Sequence, residues 1–240
     1  MLFDHWPFLI ATALVASTIA ALAGTGGGVI LLPVLVSTFG VRDAVPIYAL
    51  AQLIGNLSRI GFNRTLISYR VVAWFSLGVV PLAVLGAWVF TQIPDTGLLK
   101  ILGAFLIFFV VIRRLHPTLH KGFPPYWFAP IGGVFSLISA IVGSAGPFLA
   151  PFYLSYGLTK GAFIGTEAFG TAIMHVVKLS SYQGLGVMSH GIWSTGFMLG
   201  PIMIIGSYTG KQLLDRISTH AFLIIVEVAI VGFGLWFLFR

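Results

Sequence analysis

Gln52, Asn56 and Arg59 stand at i, i+4 and i+7 of one apolar run, and Thr171, His175 and Lys178 repeat that spacing 119 positions later. On a helix, each trio shares one face. Amide, hydroxyl and imidazole groups followed by a cation make a row of hydrogen-bond donors, which suits a small anion. Arg59 and Lys178 could instead sit near a membrane surface and reach headgroups with their long stems. Asn56 and His175 lie deeper in their runs, where a polar group needs a partner or a task. They are read as substrate donors, with bonding between helices as the competing role.

A glycine-rich break precedes each stripe. The first reads Gly24-Thr25-Gly26-Gly27-Gly28 and leads through Val29 to Pro33; the second reads Gly143-Ser144-Ala145-Gly146 and leads through Pro147 to Pro151. Gly26, Gly27 and Gly28, and their counterparts Ser144, Ala145 and Gly146, let backbone approach a ligand closely. A half-helix restarting after each break would aim free N–H groups and a positive dipole end at it, an anion-binding device. Small residues also let helices pack tightly, which is the competing use.

Two carboxylates complete the inventory. Glu167 precedes His175 by eight residues, about two turns, and that spacing allows a proton relay between them. Glu227 suits a partner for a cation on a neighbouring helix. An isolated charge at the bilayer centre costs ~2.5 kcal/mol or more, so such groups are neutral, paired or functional.

The elements that hold these residues follow from composition. Hydrophobic residues make up 58% of the 240 positions and charged residues 8%, with a mean hydropathy of +1.03. A soluble domain carries about 25% charged residues, so this chain is an integral membrane protein. Its net charge of +7 sits mostly at the ends of apolar runs, where Lys and Arg fix topology and meet anionic headgroups rather than nucleic acid. No cysteine is present, which excludes disulfides and thiolate metal sites. Met1 to Pro7 has no basic stretch, so the first run reads as a retained membrane segment.

A span needs ~20 mostly apolar residues. Such runs cover Phe8–Phe39, Ala44–Gly61, Val71–Phe90 and Leu98–Leu115, then Trp127–Tyr156, Ala162–Ser180, Gly191–Tyr208 and Ala221–Phe239. Four and four runs make two halves, 1–118 and 119–240, of one membrane domain. Proline and aspartate pairs support the duplication: Pro33 and Pro151 are offset by 118, and Pro81/Pro201 and Asp95/Asp215 each by 120. The first run of each half is too long for one crossing and too short for two. It fits a Gly-broken helix or a re-entrant hairpin. Basic residues shift by one loop between halves: Arg59, Arg64 and Arg70 gather at the end of run two and before run three, whereas Lys211 and Arg216 follow run seven. The fold class read from this is an all-α membrane protein built as an inverted repeat; full crossings by both broken runs would make the repeat parallel instead.

The Gly-rich opening closed by Pro33, the stretch Ala162-Phe163-Ile164-Gly165-Thr166, the pair Gly200-Pro201 and the halved layout resemble the sulfite exporter TauE/SafE family across nearly the whole chain. The resemblance implies a cell inner-membrane carrier for a small sulfur-containing anion such as sulfite or an organosulfonate. Copy one carries Tyr48-Ala49-Leu50 where copy two is set with Gly165-Thr166-Glu167, a departure that bears on substrate and coupling ion.

The reading is then anion transport by alternating access, one repeat rocking against the other, with no cofactor or metal and no enzyme chemistry. Proton coupling through Glu167 and His175 and assembly as a homodimer are compatible with it. Two rivals stand beside it: a cation- or proton-coupled carrier using the membrane carboxylates, and an intramembrane serine protease pairing Ser144 with His175.

Overall fold

In the computed structural model, residues 6–23, 28–115, 122–213, 231, 235 and 237–239 are described. They form helices and connecting turns, with no strand among them. The helices are α1 (Trp6–Ala23), α2 (Gly28–Phe39), α3 (Val41–Asn63), α4 (Tyr69–Gln92), α5 (Asp95–Leu115), α6 (Phe128–Val142), α7 (Ala150–Ser155), α8 (Lys160–Gly184) and α9 (His190–Leu213). Among the described residues, each apolar run read from the sequence through the seventh is mainly helical, and the fifth is interrupted at 143–149. Gly26 and Gly27, the charged residues Asp215, Arg216 and Glu227, and most of the eighth run, Ala221–Phe239, lie outside the described residues.

Helix directions can be followed from side-chain neighbours. A methyl group built on Gly78 would lie 1.8 Å from Ala129 O, and one on Gly86 would lie 2.8 Å from Leu137 O, so α4 and α6 run parallel. At Gly206 and Gly210 the corresponding neighbours are Leu14 O at 2.7 Å and Thr18 O at 2.4 Å, which makes α1 and α9 parallel. These backbones touch where only hydrogen fits between them, the close approach that small residues permit in lipid. Leu50 against Gly196 and Ile54 against Gly200 set α3 parallel to α9. Phe75 against Gly170 and Phe90 beside Tyr182 set α4 parallel to α8. Tyr48 beside His175, Asn56 bonded to Thr171 and Asn63 against Gly165 set α3 antiparallel to α8.

Helices α1, α3 and α9 therefore point one way, and α4, α6 and α8 the other. Because α1 and α3 share a direction, α2 must carry the chain back between them. Segment 143–159, containing α7, does the same between α6 and α8. The halves also interleave, since the first helix of each packs along the third long helix of the other.

Helices α3 and α8 occupy the interior. Helix α4 presents Leu77, Val80, Val84, Leu85 and Trp88 outward, an apolar face suited to acyl chains. It and Pro125–Val142 are long and apolar enough to cross a membrane. Near the start of α3, Arg42 ties that helix to the end of α4. Its Nε lies 2.6 Å from Asp95 Oδ1, Nη1 donates to Phe90 O at 2.9 Å, and Nη2 donates to Ile93 O.

Candidate functional site

The interior face of α3 carries Tyr48, Gln52, Asn56 and Arg59, and that of α8 carries Glu167, Thr171, His175 and Lys178. Every one is buried. Both sets recur at intervals of four, four and three residues, so one helical stripe supplies each. Antiparallel packing turns the two stripes toward each other. In a chain this apolar, eight buried polar side chains on one helix pair are costly unless they bond one another or a ligand.

The bonds form a continuous line across the interior. Arg59 Nη1 donates to Ala20 O on α1 at 3.3 Å, and Nη2 donates to Asn56 Oδ1. Asn56 Nδ2 donates to Thr171 Oγ1 at 3.0 Å, crossing from α3 to α8. Thr171 Oγ1 in turn donates to Glu167 O at 2.9 Å. Tyr48 OH donates to Ser144 Oγ at 3.4 Å, which joins the break of the second half to the inner helix of the first.

That break begins where α6 ends. Gly143 adopts φ 96°, a left-handed conformation that glycine takes without the penalty of a Cβ. Ser144 and Ala145 are buried and Gly146 is half-buried; a single 3-10 turn, Gly146–Phe148, leads into α7. The restarted helix has only six residues, so its dipole is weaker than the sequence reading supposed. In the first half, Gly28 opens the longer α2, of 12 residues.

Lys178 lies wholly inside, with 0% of its surface exposed. Its Nζ donates to Ser139 O at 2.8 Å, Ser139 Oγ at 3.0 Å and Gly143 O at 3.2 Å. An ammonium has three N–H donors, and all three are engaged. It does not snorkel to an interface.

Among the described residues, Glu167 Oε2, His175 Nδ1 and Tyr153 OH are buried without a hydrogen-bond partner. Leaving such a group unmet costs about 1–3 kcal/mol, so these atoms mark where a solute, a water or a proton would repay binding. No hydrogen bond joins Ser144 to His175 among the described residues: Ser144 Oγ accepts from Tyr48, and His175 Nδ1 is unpartnered.

Structure therefore brings together Gln52, Asn56, Arg59, Glu167, Thr171, His175 and Lys178, with Ser144 beside them. Sequence reasoning missed Tyr48 and Ser139. Tyr48 was detectable as the residue four before Gln52 on the same face. Its counterpart also needs correcting: α3 starts at Val41 and α8 at Lys160, so Tyr48 matches Glu167 rather than Gly165. Tyr48 and Glu167 each stand seven residues after the first residue of their helix.

The family model described as "Sulfite exporter TauE/SafE" matches residues 9–237. No curated protein and no solved structure matches the chain.

Proposed function

The chain belongs to the sulfite exporter TauE/SafE family of integral membrane transporters, and we propose that it carries a small sulfur-containing oxyanion, of the sulfite or organosulfonate kind, across the cell inner membrane by alternating access. The observation that carries this reading is the sealed polar line between α3 and α8, with Asn56 bonded to Thr171 at its centre. Gln52, Asn56, Thr171 and His175 supply uncharged donors from two helices. Arg59 and Lys178 lend a positive field inside a low-dielectric interior, where it acts strongly. The break at Ser144, Ala145 and Gly146 brings backbone N–H groups beside the line, and in the first half Gly28 opens the corresponding restart, α2.

Opposed directions of α1 and α6, of α3 and α8, and of α4 and α9 support an inverted repeat with halves 1–118 and 119–240. The returning course of α2 and of segment 143–159 supports re-entrant hairpins at the breaks. Interleaving changes which bodies move. Rocking one sequence half against the other would part the tight α1–α9 and α4–α6 contacts. The bodies that slide are instead α1, α3 and α9 against α4, α6 and α8, with the polar line between them.

Unpartnered Glu167 Oε2 and His175 Nδ1 favour proton coupling at this site. Purified protein in proteoliposomes would be assayed for flux of sulfite, thiosulfate, sulfoacetate and chloride, with and without a pH gradient. Saturable flux of a sulfur oxyanion is expected, stimulated by the gradient. Folded protein that moves none of the four would overturn the proposal.

A further inference from the structure

Both buried cations of the site grip the same thing, the carboxyl end of the helix that precedes a break. Lys178 holds Ser139 O and Gly143 O at the end of α6, and Arg59 holds Ala20 O near the end of α1. Ala20 and Ser139 are 119 residues apart, the same step that separates Arg59 from Lys178. One contact has thus been built twice, once in each half. Tyr182 adds to it in the second half, its hydroxyl donating to Ala140 O at 2.5 Å.

The chemistry of a helix end explains the choice of residue. The last carbonyls of a helix have no intrahelical donor, and their dipoles sum to partial negative charge. At membrane depth no water caps them. An anion approaching a break would meet this negative end as well as the positive end of the helix that follows. A cation seated on the carbonyls adds a charged donor, at Ser139 O beside the Gly143 N–H that already bonds it at 2.9 Å, and cancels that repulsion. We infer that Lys178 and Arg59 are positioning residues, clasps that fasten the end of each interrupted helix to the inner helix of its own half and so set the geometry of the break. The anion is held by other groups. This deepens the transport reading, on which its kinetic consequence rests.

Absence of native cysteine makes a direct test simple. Ser144→Cys places a thiol in the second break, and its maleimide labelling rate reports how closed the break is without any transported solute. Adding Lys178→Met is expected to speed labelling roughly tenfold, since the carbonyls lose their charged donor and the turn loosens. Adding Lys178→Arg, which keeps charge and donors, is expected to return the rate to within about twofold of Ser144→Cys alone. In flux assays Lys178→Met should lower the maximal rate more than it raises the half-saturating concentration of sulfite.

Unchanged labelling together with a raised half-saturating concentration would make Lys178 a substrate ligand and overturn the inference. Should Lys178→Met fail to fold, Ser139→Ala removes one acceptor of the clasp and keeps the lysine. Labelling about threefold faster is expected there, and an unchanged rate would again overturn it. If the parent protein moves no anion yet labelling responds as described, the clasp stands and the transport reading alone falls.

Discussion

Asn56 Nδ2 lies 3.0 Å from Thr171 Oγ1, and through that bond α3 of the first half meets α8 of the second. Both residues are buried, and each has a further bond, Asn56 from Arg59 and Thr171 to Glu167 O. Asn56→Ala would remove the acceptor of Arg59 Nη2 and the donor to Thr171 Oγ1, costing about 1–3 kcal/mol of stability. Because the residues share one network, Asn56→Ala and Thr171→Val should be non-additive by ~0.5–3 kcal/mol in a double-mutant cycle read by thermal unfolding in detergent. Flux should fall in each single variant.

Glu167→Gln keeps the shape of the side chain and removes its charge. With Oε2 unpartnered inside, the substitution should leave the melting temperature unchanged or higher, because an interior carboxylate short of a hydrogen bond is unfavourable. Flux driven by an anion gradient should persist, while stimulation by a pH gradient should disappear. Stimulation that survives in Glu167→Gln would move the coupling role to another group.

Two glycines should respond in opposite ways. Gly78 faces Ala129 O so closely that any Cβ collides with backbone, and Gly78→Val should prevent α4 from packing on α6. Loss of folded, monodisperse protein is the expected result. Gly146 lies in the half-buried break, so Gly146→Val should yield folded protein with flux reduced by an order of magnitude or more. The two are separated by size-exclusion profile and by flux.

Arg42 bridges α3 to the α4–α5 turn through Asp95, Phe90 O and Ile93 O. Arg42→Ala should cost ~1–2 kcal/mol, mostly from carbonyls that lose a charged donor. Asp95→Asn should cost less than about 1 kcal/mol, as that carboxylate is largely exposed and screened. Thermal melts of the two variants decide the order.

The helical layout was legible because apolar runs of span length leave little choice of secondary structure in lipid. The stripes were legible too, since Gln52, Asn56 and Arg59 recur at helical spacing in a mostly apolar background. What Lys178 touches was not. A cation late in a helix has the same sequence signature whether it reaches water, a solute or a carbonyl, and only the position of Ser139 decides among them. Interleaving of the halves was equally hidden, because small residues at Gly78 and Gly206 announce close packing without naming the partner. The length of α7 also escaped notice: Pro147 and Pro151 favour a helix start but do not say how soon it ends.

Pairing of α1 with α9 has a bearing on how the molecule is made. The ribosome delivers α1 long before its companion emerges, so the groove at Leu14, Ser17, Thr18 and Ala21 that receives Gly206 and Gly210 must wait in the bilayer. Contacts so distant in sequence form late and slowly. Residues 1–118 produced alone would keep that groove unfilled and α4 without α6, and should be cleared by membrane proteases unless the other fragment is supplied in the same cell.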